Sequence, residues 1–117
     1  MAGTFTPKTL IANFLTTSAA AVITGETGKV KKIVSIELDS KHTALVDVTI
    51  WVAPNNGGSA RTVSADDMYQ KRPISLAAND SVDMLAKWVL GAANDTIQMK
   101  ASTASVVSVK INYIEET

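Results

Sequence analysis

The sequence predicts an all-β protein: a single-domain, antiparallel β-sandwich, jelly-roll-like, with about eight strands. Three observations support this fold class. β-Branched residues are plentiful, which favours strands, and aromatic residues make up only 5% of the chain. Apolar and polar residues alternate along several segments, and turn-forming residues interrupt them roughly every ten to fifteen positions. The length of 117 residues is typical of one domain.

The first half of the chain contains four segments with strand character. Residues 10–15 and 20–24 are short apolar runs, and a turn with two glycines closes the second run. In residues 30–38 most apolar side chains, Val34 among them, occupy even positions, and in residues 44–52 every even position is apolar. The last two segments therefore predict strands with one buried face, and residues 44–52 form the most regular of them.

The middle of the chain is less regular. Residues 54–59 are rich in Asn and Gly and predict an exposed loop or hairpin tip, and the polar residues 61–67 also predict a loop. Residues 68–77 predict an edge strand, because Pro73 lacks the N–H group that a central strand needs. Residues 81–90 fit one face of a helix or an alternating strand, and the glycine that follows favours the strand.

The second half of the chain contains a near-repeat. Residues 77–84 read AANDSVDM and residues 92–99 read AANDTIQM. Asn and Asp form turns through their own side chains and tolerate left-handed backbone, so that each copy predicts a turn that begins a strand. Binding of calcium or a sugar is the weaker interpretation, because two isolated turns lack the dense oxygen ligands of a calcium loop. Alternating residues 107–113 predict the final strand.

Composition excludes several classes of function. The 11 basic and 11 acidic residues cancel, so no broad positive surface is available to nucleic acid. The absence of cysteine excludes thiol catalysis and disulfides. The long weakly charged stretch 9–25 is too polar to span a bilayer, and the first residues do not resemble a signal peptide. We therefore expect neither nucleic-acid nor membrane binding, and no secretion signal.

The sequence contains no recognisable catalytic pattern. His42 is the single histidine, and it has no partner set for a metal site or for general-base catalysis. The acidic pair Asp66–Asp67 is not accompanied by other candidate cleft residues. Neither a nucleophile elbow nor a phosphate-binding glycine loop occurs in the sequence. We expect a protein without enzymatic activity, cofactor or metal.

Five segments between about residues 15 and 115 carry a recognisable pattern: Thr17–Thr24, Gly28–Val30, Lys32–Ile36, Ile74–Ser81 and Asn94–Ile97. In these segments the sequence resembles a family of small tailed-bacteriophage virion proteins. The family more often carries Gly where this chain has Asn79 and Asn94, which is harmless in a turn. The resemblance implies a β-sandwich that packs on other virion proteins, as a capsid decoration (cement) protein or in the neck or tail. It also implies the major capsid protein or other virion proteins as partners, and location in the virion after synthesis in the host cytoplasm.

Four apolar residues are predicted to contact other chains. We divide the chain into residues 1–16, an N-terminal arm or first strand, and residues 17–117, the sandwich. Residues 1–8 lack strand periodicity and suit an arm that becomes ordered on docking. The predicted interface residues are Phe5, Pro7, Phe14 and Trp51. We expect a homo-oligomer, since zero net charge does little to oppose self-association, and its symmetry stays open.

Two further surface features have alternative interpretations. Trp51 and Trp88 could stack on a sugar if exposed, which would make the chain a carbohydrate- or receptor-binding module. For Trp51 a place at the edge of the core is the other possibility. Lys29, Lys31 and Lys32 predict a solvated basic face or a guard against edge-to-edge strand pairing.

Overall fold

The computed structural model of the protein describes residues 4–55, 69–85 and 88–117. Within these ranges every regular element is a strand, which confirms the all-β prediction. Residues 56–68 lie outside the described part, and with them most of the loop predicted at 54–59 and all of that at 61–67. The strands are β1 (Phe5–Ala12), β2 (Ala20–Thr24), β3 (Val30–Ser40), β4 (Val46–Ala53), β5 (Tyr69–Leu76), β6 (Ser81–Leu85), β7 (Val89–Leu90), β8 (Thr96–Ala101) and β9 (Val107–Glu116).

The strands form two antiparallel sheets. The first sheet has the order β1-β9-β3-β6, with β7 also paired to β3, and the second has the order β2-β8-β4-β5. The first half of the chain thus pairs with the second half in reverse order, with β4 and β5 as the innermost pair. When β6 and β7 are taken as one interrupted strand on β3, this order is the two-Greek-key jelly roll. The predicted jelly-roll-like sandwich is confirmed.

The strand predicted at residues 81–90 is divided between β6 and β7, because residues 81–85 and 89–90 pair with separate parts of β3. The strand predicted at residues 68–77 is β5, at the edge of the second sheet as expected. The Asp47 carbonyl of β4 accepts a hydrogen bond from the N–H of Ser102, which follows β8. Because backbone groups alternate in direction along a strand, the N–H and carbonyl groups of odd-numbered β4 residues point to β8, and those of even-numbered residues point to β5. Pro73, opposite Thr49, therefore has its missing N–H at the open edge.

The core lies between the two sheets and follows the predicted alternation along β4 and β9. In β3, however, the prediction for Val34 is wrong. The pairing of β3 with β9 shifts between Ile33 and Ser35, and this bulge leaves Val34 exposed on the outer face while Ile33 is buried. The buried cluster comprises Leu15, Ile23, Ile33, Ile36, Leu38, Val46, Val48, Ile50, Leu76, Trp88, Leu90, Ile97, Met99, Ala101, Val107, Val109, Ile111 and Tyr113.

The first described residues belong mostly to a strand. Residues 5–12 form β1, while residues 1–3 lie outside the described part. Thr4 and Thr117 exchange two backbone hydrogen bonds of 3.1 and 3.0 Å, at the end of the β1–β9 ladder. The sequence of β1 shows no alternation of apolar and polar residues because β1 is an exposed edge strand, in which only Leu10 and Ala12 are half-buried against the core.

Both copies of the near-repeat form left-handed turns, as predicted. Asn79 has φ 55° and Asn94 has φ 65°, and the strands β6 and β8 begin shortly after them. Side-chain oxygens stabilise the turns locally. Asp80 Oδ1 accepts the Ser81 N–H at 2.9 Å, and Asp95 Oδ2 accepts the Ala92 N–H at 3.1 Å. The turns therefore serve to begin strands.

Each repeat turn also binds another loop through an equivalent pair of backbone bonds. In the first, Asn79 N–H donates to the His42 carbonyl and Ser40 N–H donates to the Asp80 carbonyl, both at 2.9 Å. In the second, Gly25 alone makes the two bonds that His42 and Ser40 make in the first. It accepts from Asn94 N–H at 3.2 Å and donates to the Asp95 carbonyl at 2.7 Å. The near-repeat is therefore a repeat of tertiary contacts, one copy in each sheet.

Candidate assembly surface

The outer side of β1 presents apolar side chains to solvent. Residues opposite the buried positions of β9, such as Leu10 opposite Ile111, face the core, so that odd-numbered residues of β1 face outward. Phe5 is 57% exposed and Ile11 is 67% exposed, and Pro7 between them is exposed as well. We call Phe5, Pro7, Thr9 and Ile11 the β1 surface.

Apolar groups continue from the β1 surface across the first sheet. Ile114 of β9 is opposite Pro7, and together with Val34 these residues line a shallow depression. Lys32 follows on β3, and Val89, which is exposed, is opposite Lys32 at the far edge. The side chains that lie side by side across the outer face of the first sheet are therefore apolar, except for Lys32.

A lysine lies over each exposed phenylalanine. The Lys32 ammonium is 5.6 Å from the centre of the Phe5 ring, and it pairs with Glu116 at 3.4 Å. The Lys41 ammonium is 5.4 Å from the centre of the Phe14 ring. Both phenylalanines stay exposed beside their lysines, so a partner can still contact them.

Five charges of alternating sign hold the start of β1 to the rest of the sandwich. Lys8 of β1 pairs with the buried Glu115 at 2.7 Å, and Lys29 approaches Glu115 at 4.0 Å. Lys29 and Lys31 both pair with Glu26, at 3.2 and 2.9 Å. We call Lys8, Glu115, Lys29, Glu26 and Lys31 the ionic chain. It connects β1, β9, β3 and the β2–β3 turn at one end of the molecule.

The ionic chain shifts the titration of its members. Hydrogen bonds from Lys31 and Lys29 lower the pKa of Glu26 to about 2. The hydrogen bond from Lys8 lowers the pKa of Glu115 and outweighs the burial that opposes it, and the same bond raises the pKa of Lys8. The prediction of a solvated basic face is wrong for Lys31. That side chain is buried, and it also donates to the Thr24 carbonyl at 2.8 Å.

The predicted interface residues do not form one patch. Phe5 and Pro7 lie together on the β1 surface. Phe14 follows the far end of β1 with φ 64° and is 41% exposed, and the strand between Phe5 and Ala12 is about 24 Å long. Trp51 belongs to the second sheet and is fully buried, so the prediction of an exposed anchor there is wrong.

Trp51 is buried together with its neighbours on the outward side of β4. The alternation of the strand directs Trp51 and Ala53 outward, and their cross-strand neighbours Gln98 and Thr96 are also buried. Thr96 Oγ1 donates to the Ala53 carbonyl at 3.1 Å and accepts from Gln98 Nε2 at 3.1 Å. This end of the second sheet is therefore covered on both sides.

Trp88 is also unavailable for stacking on a sugar. Its side chain belongs to the buried cluster, and the Arg72 guanidinium lies 5.4 Å from its ring centre. The interpretation as a carbohydrate-binding module required an exposed Trp51 or Trp88, and the structure exposes neither.

The other chemical candidates are occupied by structural contacts. Asp95 Oδ1 accepts the Asn55 backbone N–H and the Asn55 Nδ2, both at 2.8 Å, so its carboxylate holds two loops together. His42 lies in the β3–β4 connection, where its N–H donates to Ser40 Oγ at 3.2 Å. No cluster of metal-binding side chains and no membrane-spanning helix is found among the described residues.

Ile11, Val34 and Val89 are exposed apolar residues that the sequence prediction missed. A signal existed for Ile11, because the adjacent Leu10 and Ile11 cannot both face the core of a strand with period two. No such signal marks Val34, whose exposure depends on the bulge in β3.

Comparison with known proteins establishes the fold and no family. No family model matches the sequence, and no curated protein matches it. A solved structure with a similar fold is a chain described under "Bacillus endospore appendages form a novel family of disulfide-linked pili". The two share 15% sequence identity with a TM-score of 0.52, over 98% of this chain and 89% of that chain. The neighbour is thus a β-rich protein of a pilus-like appendage.

Proposed function

We propose that this chain is a non-enzymatic structural protein of a bacteriophage virion, which binds the capsid surface as a decoration (cement) protein. It stabilises the shell through protein–protein contacts with the major capsid protein. The observation that carries the proposal is the β1 surface, where Phe5, Pro7 and Ile11 are exposed side by side on one edge strand. Exposed apolar side chains grouped in this way gain free energy when a second protein covers them.

Two further observations support a role in a virion. Jelly-roll sandwiches are a common architecture of viral capsid proteins. The near-repeat that resembles small phage virion proteins forms two structurally equivalent turns, so the resembling residues have an architectural role in this fold.

A second candidate is a tail- or fibre-associated subunit, and the appendage protein of similar fold favours it. That neighbour is described as disulfide-linked. This chain contains no cysteine, so any fibre that it builds is held by non-covalent contacts. Fibre formation predicts large polymers of the purified protein, whereas decoration predicts small oligomers that bind preformed shells.

The test is co-sedimentation of the purified protein with expanded empty capsids, with isolated tails as the comparison. We expect saturable binding to capsids and none to tails. Replacement of both Phe5 and Ile11 by Ser should weaken capsid binding more than tenfold, because two apolar side chains no longer leave water on binding.

Leu45→Ser is the matched control, since Leu45 is 61% exposed but lies in the β3–β4 connection. It should bind capsids like the unchanged protein. Saturable binding to tails with none to capsids would favour the second candidate. Absence of binding to both would contradict the virion proposal.

A further inference from the structure

The two sheets have four open edges, and β1 is the longest regular one. β1 pairs with β9 over eight residues without a register shift. β2 has five residues and a shift, and β5 has a shift and Pro73. The remaining edge is divided between the short strands β6 and β7. A long, flat edge with apolar side chains is the type of edge that accepts another strand.

The backbone of β1 has hydrogen-bonding groups directed at this open edge. Thr4 exchanges both backbone bonds with Thr117, and bonded pairs alternate along an antiparallel ladder. Even-numbered residues of β1 therefore bond to β9. The groups of Phe5, Thr9 and Ile11, and the carbonyl of Pro7, face away from it, and β9 is the only neighbour of β1 in the described sheet.

We propose that two copies of this chain pair antiparallel through their β1 edges about a two-fold axis, so that their first sheets become one continuous sheet. The partner at this edge is a second copy of the same chain. The inference deepens the proposed structural function by naming one partner, and it can be tested without a capsid.

The pattern of donors and acceptors on β1 selects a register. With Lys8 opposite Lys8 of the second copy, Phe5 is opposite Ile11 and Pro7 is opposite Thr9. Roughly six backbone hydrogen bonds then form, and the missing N–H of Pro7 leaves only the Thr9 carbonyls to water. With Thr9 at the axis, Phe5 would be opposite Asn13, which lies beyond the strand, and only about four bonds form.

Side chains favour the same register. Phe5 and Ile11 become direct cross-strand neighbours on the outer face, and aromatic and β-branched residues are a favourable pair in this position. The two Lys8 side chains face each other, but each is paired with its own Glu115 at 2.7 Å, which offsets their repulsion. The net charge of zero adds no long-range repulsion between the copies.

The first test replaces Thr9 by Pro. The Thr9 N–H faces the open edge, so its loss leaves the β1–β9 ladder intact but removes about two bonds of the dimer and places a proline ring in the contact. Because the Thr9 hydroxyl also donates to Asn112 Oδ1 at 2.9 Å, Thr9→Val is the matched control. We expect sedimentation equilibrium to show dimers for the unchanged protein and Thr9→Val, and a dissociation constant raised tenfold or more for Thr9→Pro.

The second test uses single cysteines, which are informative because the chain has none of its own. At the axis the two Lys8 Cα atoms form a non-hydrogen-bonded pair, about 4.5 Å apart and within the range of a disulfide. The two Thr9 Cα atoms are roughly 8–9 Å apart, which is too far. With oxidised glutathione, Lys8→Cys should form covalent dimers and Thr9→Cys should remain mostly unlinked.

Two results would overturn the inference: a dimer that is unaffected by Thr9→Pro, or a purified protein that is monomeric at all concentrations tested. Preferential cross-linking of Thr9→Cys would overturn the register. These results are independent of capsid binding. A β1-linked dimer that ignores capsids refutes the decoration proposal alone, while a monomer that binds capsids refutes the inference alone.

Discussion

Trp51 combines complete burial with an indole N–H that has no hydrogen-bond partner among the residues described. A buried donor without a partner loses its hydration and gains nothing in return. The large ring, in contrast, fills space beside the Thr96–Gln98 network on the outward side of β4. The ring and its polar atom therefore have opposite effects on stability.

The prediction at this scale concerns two substitutions of Trp51. Trp51→Phe keeps a smaller aromatic ring in place and removes the unpaired donor, so the two effects offset each other and the free energy of unfolding should change by less than about 1.5 kcal/mol. Trp51→Ala leaves a cavity and should cost about 3–5 kcal/mol. Urea denaturation followed by circular dichroism measures both. Equal losses for the two variants would mean that the N–H has a partner in solution.

The β2–β3 turn connects several elements. Its first residue, Gly25, lies so close to the second repeat turn that an added Cβ would overlap the Ala92 carbonyl oxygen. Its second residue, Glu26, is the centre of the ionic chain. The β2–β3 turn thus contacts both the turn before β8 and the start of β3. It is also linked to β1, because Lys29 and Lys8 both approach Glu115.

Gly25→Ala tests the contact of this turn with the repeat turn. Because the obstacle is backbone, the turn has to move and both Gly25 bonds to residues 94 and 95 are strained, at a cost of about 1–3 kcal/mol. Gly91→Ala is the control, since nothing lies within 4 Å of a Cβ there. Thermal unfolding should show a lower Tm for Gly25→Ala only. A matching loss in Gly91→Ala would indicate a general intolerance of alanine near the repeat turn.

Glu26 makes stability depend on pH. Its pKa is about 2 in the folded protein against 4.5 for the free group, so the unfolded chain binds more protons between these values. The stabilisation is complete above about pH 5 and is lost as the pH falls towards 2. The lowered pKa of Glu115 acts in the same direction.

Replacement of Glu26 by Gln should lower Tm at pH 7 and flatten the decline of Tm between pH 5 and 2. Asp83→Asn removes one negative charge from an exposed position of β6 and serves as the control. It should keep the decline of the unchanged protein. Parallel Tm curves for Glu26→Gln and the unchanged protein would contradict the role assigned to Glu26.

On the scale of the whole molecule, the chain is a long hairpin that is folded over into two sheets. Pairing extends outward from β4–β5 to β1–β9, where Phe5 lies opposite Glu116. Folding therefore has to close long loops, which slows it relative to proteins with local contacts. Because β1 is the outermost strand of this nesting and buries little, it is also available to a partner.

Local chemistry determined the elements that the sequence predicted correctly. The alternation along most of β4 and β9 reflects the two-residue period of a strand, and the Asn-Asp turns follow from side chains that tolerate a left-handed backbone. Pro73 likewise required an edge. These features depend on neighbours in sequence, so the all-β sandwich and most of its strands could be deduced without coordinates.

Tertiary structure alone decided which side chains are exposed where the local pattern is ambiguous. The sequence predicted Phe5 and Pro7 in an arm or on an outer face, and both side chains are exposed on β1. The exposure of Val34, however, depends on a bulge against β9, and the burial of Trp51 depends on packing at one end of the second sheet. Likewise, the pairing of β1 with β9 joins residues about a hundred positions apart. Such contacts are set by the complete fold, because a strand's own sequence does not identify the strand or surface that covers it.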